Sequence, residues 1–101
     1  MEDNESIYIT INHLDDFMPV INLKVGDILT LKKELDNIYD DEAIAVYTKD
    51  GFKCGYVANS VSTVARGTYS AGRIYDVIYE KNRCYIRFIF DAFAVAQLCR
   101  N

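Results

Sequence analysis

Short runs in which apolar and polar residues alternate, each ended by a turn signal, commit most of this chain to sheet. "SIYITI" (Ser6 to Ile11) opens the series, alternating and β-branched, so one face of a strand is buried and the other is not. "DILTLKKE" (Asp27 to Glu34) follows Gly26 as a second strand, and "AIAVYT" (Ala43 to Thr48) as a third. Asp50-Gly51 favours the backbone twist of a tight hairpin, which makes "FKCGYV" (Phe52 to Val57) the partner of the third. "RIYDVIYE", "RCYIRFIF" and "FAVAQLC" read as three closing strands, with Lys81-Asn82 joining the first two and Asp91-Ala92 the corner before the last. Between them, "ANSVSTVARG" predicts a short helix, capped by Asn59 or Ser60 and stopped at Gly67. "NHLDDFMPVINLKVG", with the one proline, reads as an irregular connection.

A chain of 101 residues carries one core, so residues 1–101 are read as a single domain. Six or seven short strands with one or two small helices predict a mainly β fold: a compact antiparallel barrel of OB-like type. Strand count alone fits an SH3-like barrel or a sandwich equally well.

Several function classes drop out. The chain has one histidine and no nucleophile elbow, Walker loop, HExxH or dinucleotide fingerprint, so we expect no enzyme and no cofactor. The carboxylate pairs Asp15/Asp16 and Asp40/Asp41 are sequence neighbours that face opposite ways on a strand, a poor arrangement for shared proton transfer. Cys54, Cys84 and Cys99 form no CxxC pair and sit in apolar runs, which reads as packing thiols rather than metal ligands. No apolar run approaches the ~20 residues of a membrane span, and the acidic opening "MEDNES" reverses the order of a signal peptide; a cytoplasmic location is expected. Charge is segregated. Residues 1–45 carry eleven acids and three bases, a balance of −8; residues 46–101 carry four acids and eight bases, a balance of +4. Lys49, Lys53, Arg66, Arg73, Lys81, Arg83 and Arg87 are the source of any basic face, and we read most of them as solvated charge on strand edges.

"DNIYDDEAIAV" (Asp36 to Val46) sets Asn37, Tyr39 and Asp40 together at the mouth of a strand. An exposed tyrosine offers a stacking platform for a base, worth ~1–3 kcal/mol. Asn37 donates and accepts hydrogen bonds at once, and Asp40, which repels phosphate, suits a hydroxyl. Such a site prefers a nucleic-acid terminus with a free hydroxyl to a continuous backbone. The alternative is purely structural: Asn and Asp bond their own turn, and the ring covers the edge of the core. Spacing does not separate the two.

"LKKELDNIYDDEAIAVYTKDGFKCGYVANSVSTVARG" resembles the HIRAN domain, whose hallmark leads from a strand through N-x-Y-D-x-x-A-I-x-V to a second strand carrying G-Y/H-V/L. Here Asn37, Tyr39, Asp40, Ala43, Ile44 and Val46 fill the first pattern, and Gly55, Tyr56 and Val57 the second. The resemblance, to the small stand-alone bacterial type, extends over residues 6–98. It implies a modified OB-like barrel and, as in helicase-like fork-remodelling proteins, capture of the 3′ end of single-stranded DNA. On that reading Tyr39 stacks on the terminal base, Asp40 accepts from the 3′-hydroxyl and Asn37 fixes the terminal nucleotide. Tyr56 and Asn59 line the same groove, while Phe17, Lys32 and Lys33 are further candidate contacts. Two departures are expected to weaken binding. The family often has an aromatic pair after the first strand, where this chain has "NHLDDFM", with Leu14 and Asp15 in place of the rings. Asp36, Asp41 and Glu42 also surround the pocket with negative charge. The competing expectation is a protein-interaction module that kept the fold and lost the ligand.

Overall fold

The computed structural model describes residues 6–17 and 23–99, with only the backbone of Asp15 and Phe17. Its elements run β1 (Tyr8–Asn12), α1 (Leu14–Phe17), β2 (Ile28–Lys33), β3 (Ile44–Tyr47), β4 (Lys53–Val57), α2 (Ala71–Ile74), β5 (Lys81–Ile89) and β6 (Ala94–Leu98). The strands close into an antiparallel barrel in the order β1-β4-β3-β2-β5-β6, with β6 returning to β1. Closure leaves no strand edge open, which is how an all-antiparallel sheet of this size avoids pairing with another molecule.

Alternation in sequence becomes alternation in space. Ile9 and Ile11, Leu29 and Leu31, Ile44 and Val46, Cys84 and Ile86, and Ala96 and Leu98 all point into one core. Two irregularities bend the sheet enough to close it. β5 pairs Ile86 with Ala96 and Phe88 with Val95, so Arg87 is an extra residue. β4 pairs Gly55 with Val46 and Lys53 with Tyr47, so Cys54 is another. Bulges of this kind increase twist locally and redirect side chains. The turn joining β3 to β4 is tight: Thr48 N–H donates to Phe52 O at 2.8 Å, and Gly51 takes φ of 91° as the Asp-Gly pair predicts.

Three expectations fail in the segment before β5. Residues 60–66 form no helix. Thr63 and Val64 N–H both donate to Ser60 O at 3.0 Å, one turn that goes no further. Val61 is fully exposed, so no apolar face supports a helix, and the Ser60, Ser62 and Thr63 hydroxyls bond one another. "RIYDVIYE" is not a strand. Its buried residues fall with Ala71 at helical spacing (Ala71, Ile74 and Ile78) while Val77 and Tyr79 face solvent. α2 begins where Ser70 Oγ accepts from Arg73 N–H at 3.2 Å and packs its apolar side into the barrel core. Lys81 and Asn82, expected to be a turn, instead begin β5, paired with Lys32 and Leu31.

Part of the irregular connection after β1 is α1, which places Leu14 against the core; residues 18–22 lie outside those described. No helix among the described residues is long and apolar enough to cross a membrane.

Candidate functional site

The loop from β2 to β3 is tied at its base, where Glu34 N–H donates to Ala43 O at 3.0 Å. Inside it, Asn37 Oδ1 accepts from both Tyr39 N–H (2.8 Å) and Asp40 N–H (2.9 Å), and Asp40 Oδ1 accepts from Glu42 N–H at 2.9 Å. The structural reading of the polar cluster therefore holds for Asn37 and Asp40, which bond their own turn, and fails for Tyr39, whose ring stands in solvent rather than over the edge of the core. Those bonds do not exhaust the two polar side chains. Asn37 and Asp40 also line an open cleft of about 440 Å³, and Asp40 Oδ2 has no partner among the described residues. That volume lies within the roughly 300–1,000 Å³ usual for small-molecule sites.

The cleft brings these two together with Asn12 and His13 from the end of β1, Tyr56 from β4, and Asn59, Ser60 and Thr63 from the loop after β4. Of the residues singled out in the sequence, Asn37, Asp40, Tyr56 and Asn59 share this wall. Tyr39 does not line it: its ring is 92% exposed beside Asp40. Lys32 and Lys33 lie on β2 away from the cleft lining, and Lys33 Nζ sits 4.5 Å from the Tyr75 ring centre. Phe17 ends α1, and its side chain lies outside those described.

Behind the cleft is a network that sequence reading missed. Glu34 Oε1 accepts from Asn37 Nδ2 (3.0 Å), Oε2 accepts from Lys53 Nζ (2.7 Å), and the Tyr56 hydroxyl lies 2.9 Å from both oxygens. Lys53 Nζ donates to the Tyr56 hydroxyl as well, at 3.0 Å. Burial by itself would raise the Glu34 pKa. The hydrogen bonds from Lys53, Asn37 and Tyr56, with the lysine charge, outweigh it and hold the carboxyl below its ordinary value. Glu34 in turn pushes the Lys53 ammonium above its usual range. In a regular strand Lys53 and Tyr56, three apart, would face opposite sides. The extra residue at Cys54 turns them to the same side, an effect no pattern of residue types announces.

The far wall is fixed by similar means. Asn59 Oδ1 accepts from Gly72 N–H (2.8 Å) while its Nδ2 donates to Glu42 (3.1 Å), so Asn59 ties α2 to the β2–β3 loop. Thr10, buried on β1, bonds the Thr68 hydroxyl (2.7 Å) and accepts from Ala65 N–H (3.0 Å), pinning the loop that carries Ser60 and Thr63. Where β1 meets β4, a Cβ on Gly55 would stand 2.5 Å from the Asn12 carbonyl oxygen; only glycine lets the two strands come this close.

Chemically, the arrangement offers hydrogen bonds and one carboxylate. No lysine or arginine is among the described residues lining the cleft. Among the described residues, no group of three histidine, cysteine, aspartate or glutamate side chains is placed to hold a metal. Cys54 and Cys84 are buried free thiols; burial pushes Cys54 up to about 11 and Cys84 higher still.

The HIRAN domain family model matches residues 7–88. Among solved structures, the crystal structure of the HIRAN domain of human HLTF superposes with a TM-score of 0.62 at 17% identity, covering 92% of this chain and 74% of that one. At that identity the likeness establishes the fold. Compared by sequence with curated proteins, the chain has no significant match.

Proposed function

As the chain belongs to the HIRAN domain family, a nucleic-acid-binding fold, we propose that it captures the 3′ end of single-stranded DNA by its free hydroxyl. The observation that carries this reading is the shared cleft of Asn37, Asp40, Tyr56 and Asn59, with one Asp40 oxygen held by its own turn and the other open. A carboxylate so placed accepts from a hydroxyl and repels a phosphate. A cleft with no lysine or arginine among its described lining residues suits a chain end rather than a continuous backbone, whose binding depends on neutralising phosphates. Tyr39, fully solvated at the rim, supplies a ring on which the terminal base stacks as it enters.

The test is a titration of matched oligonucleotides ending in a 3′-hydroxyl or a 3′-phosphate, at low salt. The hydroxyl end is expected to bind at least tenfold more tightly, and Asp40→Asn to reduce that ratio. Tyr39→Ala is expected to cost ~1–3 kcal/mol of binding with no loss of stability, since the ring is solvated. Equal affinity for the two ends removes Asp40 from its role.

One observation favours a second reading, a protein-interaction module. The same loop exposes Leu35, Ile38 and Tyr39, and Val61 stands fully exposed on the loop after β4. Under that reading Tyr39→Ala leaves oligonucleotide retention unchanged and alters capture of a protein partner.

A further inference from the structure

At one end of the barrel, β2 and β5 carry side chains that the cleft does not use. The last bond of their pairing runs from Lys33 N–H to Glu80 O at 3.0 Å, and both segments leave it through exposed apolar residues. Leu35 and Ile38 follow on the β2–β3 loop, while Val77 and Tyr79 precede on the segment from α2, each between 61% and 84% exposed. Single exposed apolar side chains are ordinary, whereas several gathered at one corner mark a surface that meets another protein. Beside them Lys32 and Lys81 stand directly opposite each other, with Arg83 two residues further along β5. All three cations are exposed. Like charges placed directly across a sheet destabilise it. Neither lysine forms an ion pair among the described residues, so no described acid relieves that repulsion.

We propose that this corner is where two copies of the chain meet, as a dimer with two-fold symmetry. The arrangement of charge selects a second copy over other partners. Asp36 follows Leu35, Asp76 precedes Val77 and Glu80 follows Tyr79, so exposed acids edge the apolar group; none of them is ion-paired among the described residues. Lys32, Lys81 and Arg83 edge it with base, three charges against three. A nucleic-acid backbone or a uniformly acidic segment would be drawn to one half of such a surface and repelled by the other. A two-fold rotation sets each half against its opposite, and does so twice, because the same patch serves both copies. The acids of one copy then relieve the Lys32–Lys81 repulsion in the other, and the apolar side chains between them are withdrawn from water. The closed barrel offers no open strand edge, so the copies meet through side chains, and exposed ion pairs of this kind are weakened by salt. None of these residues is in the described lining of the cleft, so the dimer stands apart from end capture and carries two clefts.

Sedimentation equilibrium of the whole chain over a concentration series, at low and at raised salt, tests this. The unaltered chain is expected to dimerise reversibly, and several-fold more weakly at raised salt. Two variants reverse the charges: Lys32→Glu with Lys81→Glu in one, Asp36→Lys with Glu80→Lys in the other. All four positions are exposed, so both variants should fold as the unaltered chain does, judged by circular dichroism. Each alone should dimerise about tenfold more weakly, since symmetry counts every reversed contact twice. Mixed in equal amounts, the two should recover the dimer, because every contact between them again joins opposite charges. Tyr79→Ser, which alters no charge at an exposed ring, should weaken the dimer as well. An unaltered chain that stays monomeric at every concentration overturns the proposal. So does a dimer indifferent to both reversals, or a mixture that fails to associate. A monomeric chain whose oligonucleotide retention is lost on Lys32→Glu with Lys81→Glu would give the face to nucleic acid and overturn the proposal equally.

Discussion

Replacing Glu34 by glutamine tests whether the network behind the cleft holds the site in shape. The carboxylate accepts from Asn37, Tyr56 and Lys53, and its side chain is 17% exposed against 28% for Lys53. Two unit charges at the observed 2.7 Å attract by roughly 6 kcal/mol at an effective dielectric of ~20. Several kcal/mol of desolvation per buried ion, reduced here by partial exposure, offset most of this. The net coupling should be about 1–2 kcal/mol, above the ~0.2–1 kcal/mol of an exposed pair. A double-mutant cycle of Glu34→Gln and Lys53→Met, followed by urea unfolding, measures it directly. Glu34→Gln alone should lower the melting temperature by about 6–12 °C, from ~1.5 kcal/mol at 4–8 °C per kcal/mol for a domain of this size. The pH dependence is independent of that number. Since the folded pKa of Glu34 lies below its unfolded value, its contribution is complete above the unfolded value of 4.5 and is lost as pH falls through the lowered folded one. Glu34→Gln should therefore remove part of the acid sensitivity seen between about pH 5 and the folded value. A coupling near zero, with the same acid dependence in both proteins, would refute the view that this pair is energetically distinct from a surface contact.

Three further outcomes follow from the geometry. Gly55→Ala drives a Cβ to 2.5 Å from backbone oxygen, so it should cost more than ~2 kcal/mol in thermal or urea unfolding, against ~1 kcal/mol for Gly51→Ala, where only the positive φ objects. Thr10→Val removes the acceptor for Ala65 N–H and the partner of Thr68; it should cost about 1–2 kcal/mol and accelerate amide exchange at Ala65. Titrated with a thiol reagent at pH 8, the native chain should react at Cys99 alone. Cys54 and Cys84, buried and with pKa values pushed upward, should react only after denaturant is added.

The barrel was legible because its signal is local and repeated. Ile9 and Ile11, or Ile44 and Val46, declare a buried face within a few residues, and Asp50-Gly51 names its own turn. The misreadings have a common cause. "RIYDVIYE" alternates well enough to pass for a strand, while its true period shows only when Ala71, one element earlier by the mistaken boundaries, is counted with Ile74 and Ile78. The candidate cleft was legible only in part, through Asn37, Asp40, Tyr56 and Asn59. Asn37 and Asp40 stood out as a polar cluster, but Glu34 and Lys53 look like ordinary strand-end charges. Their meeting depends on a bulge and a closed barrel, properties of the sheet and not of any segment.

That dependence changes how the acidic half of the chain should be judged. From the sequence, the acidic first half, with eleven acids in residues 1–45, is expected to weaken nucleic-acid binding. In the fold the charges are not equivalent. Glu34 is neutralised by Lys53, Asp27 accepts from Lys24 N–H, Asp16 lies against His13, and Glu42 is engaged by Asn59. Of the described acids, Asp40 is the one that lines the cleft, and on the proposed reading a single carboxylate there would discriminate between chain ends rather than oppose all of them. Salt then becomes the sharpest discriminator between end capture and backbone binding. A groove that follows many phosphates loses affinity steeply as salt rises, at about 0.7 log units per log unit for each contact on a single strand. A cleft whose described lining residues include one imidazole and no lysine or arginine should show a slope no greater than about 1. A slope of 3 or more would mean that the strand lies along the Lys32, Lys33 or β5 cations instead, and that the cleft is not where it binds.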